Sequence, residues 1–146
     1  MIVSLSQNDA TNLTEALAAW SQLLGSQHVE SRREKIAPSE QATFRCQRRI
    51  PAIISPGTTA EVRQCVKIAS ERRIPLYPIS RGRNWGLGSK LPAADDCVLL
   101  DLSRMNRIIA FDEQLSYLTV EPGVTFAQAA QYLREKITLV EGLAAR

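Results

Sequence analysis

Between Ser80 and Ser89 the chain reads SRGRNWGLGS, with glycines at 82, 86 and 88 and arginines at 81 and 83. Consecutive amides of a turn so interrupted by glycine can point inward and form an anion-binding concavity without a helix dipole. Glycine also lets the backbone approach a ligand closely where a Cβ would intrude. Arg81 and Arg83 can add charge-assisted hydrogen bonds, and Ser80 and Asn84 neutral donors. Two familiar phosphate loops are excluded by spacing. Gly88-Ser89-Lys90 has the wrong order for a Walker loop, and Pro92 follows where a helix would have to begin. Gly86-Leu87-Gly88 is followed by Ser89, Lys90 and Leu91, so the third glycine of a dinucleotide fingerprint is missing. On residue types alone, two readings stay open: a phosphate grip, or a flexible surface loop that contains arginines.

The elements around the loop narrow the choice. Ile53-Ile54-Ser55, closed by Pro56-Gly57, reads as a short strand and a turn. Thr58 and Glu61 have capping-box spacing, and Val62, Cys65, Val66 and Ala69 continue one helical face to about Arg73. Pro75 stops the helix, and Leu76-Tyr77-Pro78-Ile79 resumes an extended run. This is a βαβ unit with parallel strands, and the glycine stretch leaves the carboxyl end of its second strand, where ligands of α/β proteins gather.

Elsewhere, Leu13, Ala16, Leu17, Trp20 and Leu24 lie at helical spacing, with Asn12 as the expected cap, Gly25 as the stop and Trp20 as a core residue. Residues 26–50 are polar and basic and read as a solvated connection with a short strand. After the loop, Cys97–Leu100 reads as a buried strand, and Ile108–Phe111 with Tyr117–Glu121 as a hairpin. Pro122-Gly123 breaks it. Thr125 and Gln128 offer a second capping box for a last helix with Phe126, Ala129, Ala130 and Leu133 on its apolar face. Asp101, Asp112 and Glu121, at strand ends, are expected in surface or turn roles.

The chain has 146 residues, of which 45% are hydrophobic and 23% charged, enough for one α/β domain with its own core. The net charge of +3 and the lack of interleaved aromatics argue against a nucleic-acid partner. Membrane association is not expected, because no apolar run reaches spanning length. Cys46, Cys65 and Cys97 are odd in number and far apart, so they read as reduced core residues, and the single His28 cannot build a metal site. With no secretory pattern at the start, a cytoplasmic location is expected.

Two long segments carry a family resemblance: IISPGTTAEVRQCVKIASERRIPLYPISRGRNWGLGSKLP, then CVLLDLSRMNRIIAFDEQLSYLTVEPGVTFAQAAQYLRE. Over about Pro51 to Glu135 the chain resembles the amino-terminal part of the FAD-binding domain (PCMH-type) of the vanillyl-alcohol oxidase and p-cresol methylhydroxylase flavoproteins. That resemblance implies a mixed α/β (α+β) fold. Its first subdomain has a βαβ unit and an adjoining β-hairpin, with helices packed on small sheets. It divides the chain into an N-terminal helix and connecting segment, 1–50, and a truncated FAD-binding domain, 51–146. It also implies FAD as cofactor, its pyrophosphate wrapped by backbone amides of the glycine loop. The positions that match are Pro78, Ile79, Ser80, Arg81, Gly82, Arg83, Asn84, Trp85, Gly86 and Gly88. The family's Pro-Gly-Val segment lies against the cofactor and corresponds to Pro122, Gly123 and Val124, while Leu102 and Ser103 are weaker matches that more readily support the sheet. Trp85 either covers the cofactor or packs the loop. Some branches attach flavin through a histidine in this loop; here the region reads Arg83-Asn84 and offers no such attachment.

The function implied is FAD binding within an FAD-dependent oxidoreductase that oxidises a small organic substrate such as a phenol or hydroxy acid. In the family the substrate domain follows the FAD domain. The expected partners are therefore FAD and a missing C-terminal portion or separate subunit that carries the substrate domain. No catalytic residue is nominated in this chain. The alternative is a truncated or vestigial binding module without catalytic activity of its own.

Overall fold

A computed structural model describes residues 7–41, 46–82 and 90–144, arranged as two compact units, Met1–Arg104 and Met105–Arg146. The first unit opens with α1 (Gln7–Leu24), which Gly25 ends at φ 88°. Asn12 lies inside this helix instead of capping it. The polar residues 7–12 contain no glycine or proline to break the helix. Strand β1 (Val29–Glu30) and the single-turn helix α2 (Arg33–Ile36) follow, then β2 (Ile53–Ile54), α3 (Thr59–Glu71), β3 (Leu76–Ile79) and β4 (Val98–Asp101).

These strands form one sheet in the order β1-β2-β4-β3. β1 pairs antiparallel with β2, whereas β4 pairs parallel with both β2 and β3. The βαβ strands are thus parallel as expected, but β4 stands between them. Alternation along each strand divides the core into two layers. Ile54, Val98 and Leu100 pack with Ala16, Trp20 and Leu24 of α1 and Cys65 and Ala69 of α3. On the opposite face, Leu99 and Ile79 pack with Ile36 and Ile50, flanked by Ile53 and Tyr77. β4 is covered on both faces, which is why Val98-Leu99-Leu100 is continuously apolar.

Both helix-entry signals around the βαβ unit are satisfied, one of them differently from expectation. The Thr58 hydroxyl accepts the Glu61 amide at 3.1 Å, but the Glu61 carboxylate accepts the amide of Gly57, at 2.6 Å, one residue before the cap. α3 ends without glycine: Arg73 adopts φ 53° while the Ile74 amide donates to Ala69 O at 2.9 Å. Val66, expected on the apolar face, is 47% exposed at the margin of the stripe.

The connection before β2 is more ordered than a solvated linker. Glu40 is buried and accepts both the Arg33 guanidinium and the Ile50 amide, the latter at 2.7 Å. Burial would raise its carboxyl, but the hydrogen bonds from Arg33 and Ile50 outweigh that and hold it below the usual carboxylate range. Arg32 pairs with Glu30, and Arg49 with Asp96, each at 2.6 Å. Arg32, Arg33 and Arg49 are therefore each matched to a carboxylate. All three cysteines are free. Cys65 and Cys97 are buried, but Cys46 is only half-buried; burial pushes the Cys65 thiol up to about 11.

The second unit holds the expected hairpin, β5 (Ile108–Asp112) and β6 (Tyr117–Val120), and α4 (Phe126–Ala144). The register shifts between Ile108 and Ala110, so Ile109 is an extra, exposed residue. Phe111 meets Tyr132 of α4 edge-on, ring centroids 6.4 Å apart. Thr125 and Gln128 form a complete capping box: the Gln128 amide donates to the Thr125 hydroxyl at 3.2 Å and the Thr125 amide to Gln128 Oε1 at 2.9 Å. Phe126, expected on the apolar face, is 93% exposed in the first turn.

Candidate functional site

Because β2, β3 and β4 run parallel, their carboxyl ends share one edge of the sheet. Three segments leave that edge: Ser55–Thr58 after β2, Ser80–Gly82 after β3, and Leu102–Arg104 after β4. A parallel sheet leaves its ligand contacts to such loops.

The root of the glycine stretch is firmly held. Pro78 and Ile79 pair with Leu100 and Asp101 of β4, the Ile79 side chain is buried, and its carbonyl accepts the Leu102 amide at 2.9 Å. These two residues fix where the loop departs. Ser80 then stands exposed and Arg81 half-buried. Gly82 adopts φ 60°, a left-handed conformation that favours glycine, and a Cβ placed there would meet the Lys90 side chain at 2.3 Å. The fit to a pyrophosphate grip rests on that backbone: a left-handed residue that turns the chain three residues after a strand's carboxyl end. Arg83, Asn84, Trp85, Gly86 and Gly88 lie outside the described residues.

Arg104 reaches across the same edge. Its Nη1 donates to Ser55 O at 2.6 Å, and Nη2 would lie 3.0 Å from a Cβ on Gly57. Asp101 accepts the Ser103 amide at 2.9 Å and Asp112 that of Leu115 at 2.8 Å, the turn roles expected of them.

In the second unit the Pro122–Val124 turn is tethered from both sides. The Gly123 amide donates to Met105 O at 2.7 Å and the Val124 amide to Glu121 O at 3.1 Å. Glu121 is not a surface group. It is buried and receives the Arg107 amide at 2.8 Å and the Arg107 guanidinium at 2.7 and 3.1 Å. Those side-chain and backbone hydrogen bonds from Arg107 hold its carboxyl below the ordinary range. Pro122 is exposed and Gly123 buried. With the Gly123 and Val124 amides bonded internally, this turn can offer a ligand its surface and carbonyls.

Sequence reasoning missed Lys90, Arg104 and the Arg107–Glu121 pair. Each joins residues distant in the chain, and no local pattern marks such a contact.

Comparison with known proteins identifies the class. Residues 50–144 match the family described as FAD binding domain, and this chain belongs to that family. The match extends past Glu135, where the resemblance in sequence ended. The chain is 51% identical over 124 residues to the 1'-carboxy-chondrochloren decarboxylase of Chondromyces crocatus, covering 85% of this chain and 23% of that protein. It is 45% identical over 84 residues to the 4-cresol dehydrogenase [hydroxylating] flavoprotein subunit of Pseudomonas putida, covering 58% and 16%. The structure superposes on p-cresol methylhydroxylase with substrate bound at a TM-score of 0.84 and 33% identity, covering 91% of this chain and 26% of that one. The chain therefore spans a quarter or less of the two curated relatives and about a quarter of the solved structure. The mixed fold of helices and small sheets and FAD as cofactor stand on these matches. Among the described residues no helix is long and apolar enough to cross a membrane.

Proposed function

We propose that this chain grips the pyrophosphate of FAD with the loop Pro78–Gly88, through backbone amides from Ser80 onward and the Arg81 and Arg83 guanidiniums, while Pro122–Val124 lies against the cofactor. Gly82 at φ 60°, three residues beyond the carboxyl end of β3, is the observation that carries this reading. FAD, when bound, supplies the electron-accepting chemistry; the residues named here hold and orient it. The FAD-binding portion is residues 51–146, preceded by the N-terminal helix and connecting segment, 1–50.

In this reading the chain is the cofactor-binding part of an FAD-dependent oxidoreductase that oxidises a small organic substrate such as a phenol or hydroxy acid. Its relatives range from a cresol dehydrogenase to a decarboxylase. A shared cofactor grip serving different substrate chemistry accounts for that range. The groups that touch the substrate come from a C-terminal portion or a separate subunit. The free thiols of its three cysteines support a cytoplasmic setting.

A second reading is a binding module without catalytic activity of its own. Titrating the purified chain with FAD, followed by quenching of flavin fluorescence, tests the binding common to both. Saturable uptake is expected, and none at micromolar concentrations would overturn it. Reduction of the bound flavin by p-cresol or a 2-hydroxy acid would then separate the two readings.

A further inference from the structure

We propose that Lys90 is a pyrophosphate-binding residue of this chain, its ammonium placed at the root of the glycine loop by its packing on Gly82. The inference rests on the FAD-grip reading above and adds a residue to it.

Gly82 and Lys90 flank residues 83–89, and the two are in contact. The Lys90 Cγ, Cε and Cδ lie 2.3, 2.7 and 3.0 Å from where a Cβ on Gly82 would sit. The alkyl stem thus occupies the space that glycine leaves open and runs across the backbone at the left-handed turn. The ammonium, one bond beyond Cε, is carried to the same place. Lys90 is half-buried, while Leu91 and Pro92 directly after it are buried and fix where the stem starts.

Nothing of opposite charge claims it. Lys90 has no ion pair among the described residues, and residues 72–94 contain no Asp or Glu. Arg81 and Lys90 thus bring two basic residues to either side of the left-handed turn at Gly82. A lysine held by its stem with its head free is a point charge suited to a phosphate oxygen. The ligand class is the pyrophosphate diester of a dinucleotide, and the flavin ring itself does not require this cation.

The test is titration of the 146-residue chain and its Lys90→Met and Lys90→Arg variants with FAD and with riboflavin, at low and high salt. Methionine keeps an unbranched stem over Gly82 and removes the charge; arginine keeps the charge. Lys90→Met is expected to weaken FAD binding about tenfold, the scale of one charge-assisted hydrogen bond. Riboflavin affinity should stay unchanged, the salt dependence of FAD binding should flatten, and Lys90→Arg should retain most of the affinity. Equal FAD affinity in wild type and Lys90→Met, or equal losses for FAD and riboflavin, would overturn the assignment while leaving the FAD grip intact. A wild-type chain that takes up no FAD overturns the grip itself and Lys90 with it.

Discussion

The indole Nε1 of Trp20 donates to the carbonyl oxygen of Cys65 at 3.2 Å, and both residues are fully buried. One hydrogen bond and a large apolar surface thus lock α1 onto α3 over the sheet. Trp20→Ala should cost about 3–5 kcal/mol, and Trp20→Phe, which keeps most of the ring but leaves that bond unmade, about 1–2 kcal/mol. Urea unfolding followed by circular dichroism reads both. Equal costs for the two variants would show that the hydrogen bond, not the ring, is what matters.

Gly82→Val forces a β-branched residue to φ 60° and displaces the Lys90 stem. The loop should lose its grip while the sheet beneath survives. We expect the melting temperature of the free chain to fall by about 2–4 °C per kcal/mol of strain, and the rise produced by saturating FAD in the wild type to vanish. An FAD-induced rise of unchanged size in the variant would remove Gly82 from the ligand site.

Arg83→Ala should weaken FAD about tenfold and leave riboflavin binding as it was, since only FAD carries the pyrophosphate. Paired titrations by fluorescence quenching decide it. Equal loss for both ligands would mean that Arg83 shapes the loop and does not pair with phosphate.

Glu40 makes the fold acid-sensitive. Its folded carboxyl is held below its unfolded value of about 4.3 by Arg33 and the Ile50 amide. The sign follows from linkage: the stabilisation is fully present above the unfolded value and disappears as pH falls through the folded one. Glu40→Gln should therefore cost about 1–2 kcal/mol near pH 7, and that difference should shrink as pH falls through the lowered titration of the folded carboxyl. A cost independent of pH would assign the effect to packing. Denaturant unfolding across that range measures it.

Features written in adjacent residues were legible. The Thr58 cap, Thr125 and Gln128, Gly25, and the apolar run of β4 each carry their physics within a few positions of the chain, and the structure bears them out. What escaped was decided by distant partners. Glu121 looked like a strand-end surface carboxylate until Arg107, just before the other strand of the hairpin, closed over it. Phe126 matched a helical stripe by spacing, yet the first turn leaves it in solvent. The departure point of the glycine loop could be placed at the end of β3, because hydrophobic runs and prolines bracket that strand. The contact between Gly82 and Lys90 could not, because it is made only when the two sides of the loop meet in space.

The place of β4 between β2 and β3 sets the order in which this protein can assemble during synthesis. A nascent chain that has reached Ile79 already holds α1, α3 and three of the four strands, but not one parallel pair, since the strands joined by α3 share no hydrogen bond. The central strand emerges last, after the glycine stretch. Its arrival must draw β3 and β2 into register from either side, and the same step fixes both ends of the intervening loop at Ile79 and Val98. Closing the sheet and fixing the two ends of the glycine stretch are therefore one event, and a ribosome stalled before Val98 would carry neither.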